Sequence, residues 1–99
     1  MFVLTAKFKV IKGKEKEFDK LLLKTAKAVL KNEKGTLMYE WHRKVGDPTE
    51  VFFYERYTDR PYWAEVHANQ PYIKELVARL KDYTVGNLEL TEYELVEVK

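Results

Sequence analysis

The apolar pattern of this chain switches between a period of two and a helical period, and the order of the switches leaves few folds open. Phe2, Leu4, Ala6, Phe8 and Val10 alternate with Val3, Thr5, Lys7, Lys9 and Ile11, the pattern of a half-buried antiparallel strand. Gly13 turns the chain. Phe18, Leu21, Leu22, Thr25, Ala26 and Val29 then recur at helical spacing among lysines, which predicts an amphipathic helix stopped by Gly35. Thr36 to Val45 is a second strand, and Gly46-Asp47-Pro48-Thr49 turns it into a third that begins near Glu50 and runs to Thr58. Thr58 or Asp59 caps a helix with Pro61 in its first turn; Asn69-Gln70-Pro71 breaks that helix and starts another, whose stripe is Ile73, Leu76, Val77 and Leu80. Gly86 opens the last strand. There Leu88 and Leu90 keep one parity and Tyr93 and Leu95 the other, which predicts a bulge near Thr91-Glu92 or a tail that leaves the sheet.

The order strand, helix, strand, strand, helix pair, strand is that of an α+β, ferredoxin-like split βαβ sandwich, β-α-β-β-α-α-β, forming one domain over residues 1–99. Helices cover one face of its antiparallel sheet. The other face carries Met38, Glu40, His42 and part of the third strand, too apolar to be left in water. A homodimer is therefore expected, with the open faces packed together and the Tyr93 to Val98 tail reaching the partner.

Charge narrows the partners. Charged residues make up 34% of the chain, yet the net charge is only +2 and lysines alternate with glutamates along Lys12 to Glu17, so the surface is a solvated mixture and no nucleic-acid partner is expected. The absence of cysteine removes thiolate nucleophiles and Cys-based metal sites. Lys7 and Lys9 interrupt the amino-terminal apolar run, so neither a signal peptide nor a membrane span is expected, and the location follows as cytoplasmic.

The stretch Val51 to Tyr72 concentrates the chemistry. His67 is the candidate catalytic base, because a neutral imidazole can take a proton from a phenol or hydroxyl and return it with no cofactor. The alternative is a partly buried histidine bonded to a backbone carbonyl. Trp63, four residues earlier on the same helix face, can stack on a planar aromatic such as a quinol, or pack on the sheet. Asn69, Tyr39, Tyr54 and Tyr72 are the other candidate substrate contacts, although Asn69 also suits a helix cap and parity sends Tyr54 and Tyr57 to opposite faces of their strand. Glu40 and Glu55 on adjacent strands, with His42 on the face of Glu40, resemble a metal set only weakly; a salt-bridge network or a dimer contact explains them better, and no metal is expected. No flavin or nicotinamide fingerprint is present.

Gly35 with Tyr39-Glu40, Asp47-Pro48, Tyr54-Glu55-Arg56-Tyr57-Thr58-Asp59, and His67 with Pro71 together resemble the antibiotic biosynthesis monooxygenase domains of the dimeric α/β barrel superfamily. The resemblance implies a cofactor-independent monooxygenase acting on a small phenolic or quinol-type aromatic with molecular oxygen. The alternatives are an isomerase or other proton-transfer enzyme on a small hydroxycarbonyl, and a non-catalytic dimeric ligand-binding domain. The segment from Tyr57 to His67 is about one residue longer than the family pattern, with Pro61-Tyr62-Trp63 in place of small or aliphatic residues. The haem-degrading branch uses an asparagine, a tryptophan and a histidine where this chain has Lys7, His67 and Val77, so haem degradation is not expected.

Overall fold

The computed structural model describes residues 1–97. Strand β1 (Phe2–Val10) is followed by helix α1 (Glu15–Asn32), the hairpin β2 (Thr36–Lys44) and β3 (Asp47–Tyr57), a π-helical turn (Tyr62–His67), helix α2 (Pro71–Tyr83) and strand β4 (Thr84–Glu94). The four strands form one antiparallel sheet in the order β2-β3-β1-β4, as the ferredoxin-like reading requires.

The even residues of β1 and the odd residues of β3 share the face beneath the helices, since Phe2 pairs with Tyr57, Leu4 with Glu55, Ala6 with Phe53 and Phe8 with Val51. On this face Phe8 stacks on Phe53 at 5.8 Å and meets Phe18 of α1 edge-on at 5.6 Å. Leu22, Ala26 and Val29 of α1 and Ile73 and Leu76 of α2 close the core. Each fully buried aliphatic or aromatic side chain here contributes about 1.5–3 kcal/mol through removal from water. A second, smaller cluster joins Phe2, Leu4 and Tyr57 to Tyr62 and Trp63. It fastens the π-helical turn to the sheet.

Three local expectations are corrected. Helix α1 ends at Asn32, and Glu33, in an extended conformation, is its C-cap. Gly35 is not a left-handed cap: a Cβ there would lie 2.4 Å from the Tyr62 ring, so the glycine is required for the close approach of that ring. The hairpin turn is Val45-Gly46, tighter than expected, with Gly46 at φ +87°. Asp47-Pro48-Thr49 already belongs to β3, where the register shifts opposite Arg43 and Lys44 and a proline fits an irregular ladder.

The expected bulge near Thr91-Glu92 is absent, because Glu89 through Glu94 pair without a break against Lys7 through Phe2. The shift lies between Lys7 and Lys9, where Gly86 takes φ +74°. Leu88 and Leu90 face the helices; Glu92, next in parity, meets the Arg60 guanidinium instead, with Arg60 Nε donating to its carboxylate at 2.6 Å. The apolar pattern thus changes side because the strand end outruns the helical layer, not because the backbone slips. Leu95 N–H bonds Met1 C=O at 3.0 Å, and Val98, the end of the proposed partner-reaching tail, lies outside the described residues.

The far face of the sheet carries Val3, Thr5, Met38, Glu40, Phe52, Tyr54, Arg56 and Tyr93, with no helix of the described residues packed on it. No described helix is long and apolar enough to cross a membrane.

Candidate active site

Between the sheet and the helices lies a cavity of about 170 Å³, lined on the sheet side by Leu4, Ala6, Phe53 and Tyr39 and on the helix side by Trp63, Ile73 and Leu76. Its mouth is formed by Val77, Leu88 and Leu90, each of them exposed. Two ionisable side chains besides the Tyr39 phenol enter this apolar wall: His67 and Glu55.

The π-helical turn delivers His67. Asp59 Oδ1 accepts the Tyr62 N–H at 2.8 Å and so starts the segment, Pro61 occupies its first turn, and the Ala68 N–H closes on the Trp63 carbonyl five residues back at 3.0 Å. A π turn is how a helix absorbs one extra residue. Trp63 and His67 both reach the cavity from this turn.

His67 is buried, 4% exposed, and its partner is a carboxylate and not a backbone carbonyl. Nδ1 lies 2.7 Å from Oε1 of Glu33, the buried cap residue of α1. Thr36 Oγ1 donates to the same oxygen at 2.7 Å, and the Tyr72 hydroxyl donates to Oε2. Burial pushes the Glu33 carboxyl up, but the bonds from His67, Tyr72 and Thr36 outweigh burial and hold it below the usual carboxylate range. An ionised carboxylate only accepts, so Nδ1 carries the hydrogen, and the tautomer that acts as a base has its lone pair on Nε2. Nε2 makes no hydrogen bond among the described residues; Oε1 of Glu55 stands 3.8 Å away, beyond bonding distance.

Glu55 sits at the centre of the sheet, flanked by Leu4 on β1 and Tyr39 on β2, and accepts a short bond from the Tyr57 hydroxyl. Burial pushes its carboxyl up, and the Tyr57 bond and His67 only partly offset this. Tyr39, Tyr57 and Tyr72 are all raised, chiefly by burial and then by the neighbouring carboxylates, so each stays a neutral donor.

Of the residues singled out from sequence, His67, Trp63 and Tyr39 line the cavity. Tyr72 stands one step behind it, on Glu33. Tyr54 is on the far face, accepting from Arg56 Nη2 at 3.0 Å, and Asn69 is exposed with Nδ2 on the Glu65 carbonyl at 2.7 Å, the cap role weighed for it. Neither meets the cavity. Glu55 does not pair with Glu40 or His42, which face the other side of the sheet. Among the described residues no group of three or more His, Asp or Glu side chains is placed to hold a metal ion.

Sequence reasoning missed Glu33 altogether and placed Glu55 in a salt-bridge network or a dimer contact. Both left a signal. Glu55 occupies the apolar parity of Val51, Phe53 and Tyr57, and Glu33 places an acid at a helix C-terminus, where the dipole disfavours it.

The model of the antibiotic biosynthesis monooxygenase family matches residues 1–79. No curated protein matches the chain at a significant level. Among solved structures, a candidate antibiotic biosynthesis monooxygenase from Caulobacter crescentus CB15 is 26% identical, with 97% of this chain and 90% of that one covered at a TM-score of 0.88. A second such candidate, from Nitrosomonas europaea, is 18% identical over 98% of this chain and 100% of that one, TM-score 0.89. A conserved protein from Methanosarcina mazei Go1 is 22% identical over 93% and 89%, TM-score 0.86. With most of its length matched by the family model and its fold shared with these structures, the chain belongs to the antibiotic biosynthesis monooxygenase family.

Proposed function

We propose that the protein is a cofactor-independent monooxygenase that oxidises a small phenolic or quinol-type aromatic with molecular oxygen, with His67 as its base. The observation that carries this reading is the Nε2 of His67, without a hydrogen bond among the described residues, on a ring fixed through Nδ1 to Glu33 and placed in the wall of a largely apolar cavity. Nε2 takes the substrate's O–H proton, and Glu33 stabilises the imidazolium that results. The anion left behind is the reductant of oxygen. The apolar wall keeps water from the reactive adduct, and the Tyr39 phenol is the nearby donor for a developing oxyanion.

Cavity size narrows the substrate. An apolar protein cavity of roughly 150 Å³ accepts benzene, so about 170 Å³ suits a single substituted ring. Trp63, whose ring sits 5.3 Å from Phe2, supplies the flat wall. The same base would serve an isomerase or other proton-transfer enzyme on a small hydroxycarbonyl, which would turn over without consuming oxygen. Oxygen uptake measured with hydroquinones, catechols, naphthols and anthrones tests the reading: uptake above the enzyme-free rate, strongest with single-ring diols, is expected. No uptake with any of them favours the ligand-binding alternative.

We also propose that the active unit is a homodimer joined through the far sheet face, on the strength of the exposed Phe52 and Tyr93 and the half-buried Tyr54 on a face no described helix covers.

A further inference from the structure

We propose that Glu55 is a second catalytic residue, the acid that protonates the departing oxygen while His67 removes the carbon-bound proton. The inference rests on the oxidation proposed above and adds a role that the reading of His67 alone leaves unfilled. Three observations on position carry it. Glu55 lines the same cavity as His67, its Oε1 is 3.8 Å from Nε2, and the two groups can therefore touch one bound ring together. Its neighbours along the ladder, Leu4 and Tyr39, carry no positive charge, and the cationic group that faces it is the His67 ring once that ring has taken a proton. The Tyr57 hydroxyl bonds Oε1, which leaves Oε2 for a proton of its own. Burial raises the Glu55 carboxyl above the ordinary carboxylate range, the direction that favours the protonated form this role uses.

Benzene-1,4-diol is a single-ring substrate of the size this cavity takes. Nε2 takes one hydroxyl proton, and the ring anion transfers an electron pair to oxygen as a bond forms between the ring carbon beside the C–O group and one oxygen atom. The peroxide anion takes the proton back from Nε2, giving a hydroperoxide. Nε2 then removes the hydrogen from the carbon that bears it; the C–H electrons become the second bond of a new carbonyl as the O–O bond breaks. The hydroxide that leaves receives the Glu55 proton and departs as water. The product tautomerises to 2-hydroxy-1,4-benzoquinone, so that diol and oxygen have become hydroxyquinone and water. A proton passing from the imidazolium to the Glu55 carboxylate restores both groups. Without an acid at position 55, the hydroperoxide has a competing exit: it expels hydrogen peroxide and leaves 1,4-benzoquinone, which also balances.

The test is the product partition of wild type and Glu55→Gln with benzene-1,4-diol, with enzyme-free autoxidation subtracted. General acids contribute on the order of 10²-fold or more, so the ratio of hydroxyquinone to hydrogen peroxide is expected to fall at least about tenfold in Glu55→Gln while oxygen uptake continues. A merely structural Glu55 would lower thermal stability and leave that ratio unchanged, and an unchanged ratio overturns the proposal. Glu55→Asp keeps an acid on a shorter arm and is read in parallel, which covers a poorly folding Gln variant. Hydroxyquinone is expected to remain its main product, and peroxide as its main product also overturns the proposal. If wild type itself takes up no oxygen, the proposed function fails first and this inference with it, an outcome distinct from uptake with an unaltered product ratio.

Discussion

Oε1 of Glu33 lies 2.7 Å from Nδ1 of His67, a contact between residues 34 apart in sequence that ties the end of α1 to the π-helical turn. It makes stability and site geometry depend on the same bond.

The two buried glutamates give opposite pH dependences. Glu33 is held below the ordinary carboxylate value of 4.5, so its contribution to stability is present above that value and is lost as pH falls through its folded pKa. Glu55 is raised, so its contribution is present below 4.5 and is lost as pH rises through its folded pKa. Bonds to a charged group are worth about 1.5–3 kcal/mol each, and Glu33→Gln should cost about 2 kcal/mol at neutral pH and progressively less below pH 4.5. Glu55→Gln should gain relative to wild type as pH rises above 4.5. Melting temperatures across this range check both; shifts of the same sign for the two variants would contradict the assignment.

Gly35→Ala drives a methyl group into the Tyr62 ring, 2.4 Å from the nearest carbon. Overpacking of this kind costs about 1–3 kcal/mol. Urea unfolding should show that loss, and Tyr62→Ala in the same chain should relieve part of it. Additive losses from the two substitutions would mean that the ring does not pack as described.

Why the fold was legible and half the site was not follows from these same residues. Period-two and helical patterns report which side of an element meets the core, and Phe2 through Val10 or Phe18 through Val29 state it without ambiguity. Segment ends were less certain because glycine has several uses: Gly35 read as a stop signal but serves a ring contact, and Gly86 read as a strand opening but serves the bulge. His67 and Trp63 stood out by residue type. Glu33 did not, since its importance arises from tertiary contacts with Thr36, His67 and Tyr72 that no spacing rule connects. Glu55 breaks an apolar parity, but a period-two pattern does not say whether a lone carboxylate on the core side meets a partner or a cavity.

The far sheet face should be an interface. Phe52 and Tyr93, 37% and 51% exposed in the single chain, are the residues to change. Light scattering should give a dimer mass at micromolar concentration, and Phe52→Lys with Tyr93→Lys should shift it toward monomer. A monomer mass for wild type would contradict the proposal.

Trp63 walls the cavity without an acid or base function, so Trp63→Ala should raise KM several-fold and change kcat little, because it removes stacking that substrate and transition state share. A large fall in kcat with KM unchanged would give the indole a role in the chemical step.

His67 holds the account together. Alanine there would leave Glu33 buried with one donor fewer, and breaking a buried pair costs about 3–5 kcal/mol, so His67→Gln, whose amide can still donate to Glu33, is the informative variant. The deciding measurement is oxygen consumption with a single-ring diol at neutral pH, wild type against His67→Gln, with the melting temperature of each recorded. A base of this kind contributes on the order of 10²–10⁴ in rate, so uptake by the variant should fall by about that factor while it remains folded. A folded His67→Gln protein that consumes oxygen as fast as wild type would contradict the assignment of His67 as the base.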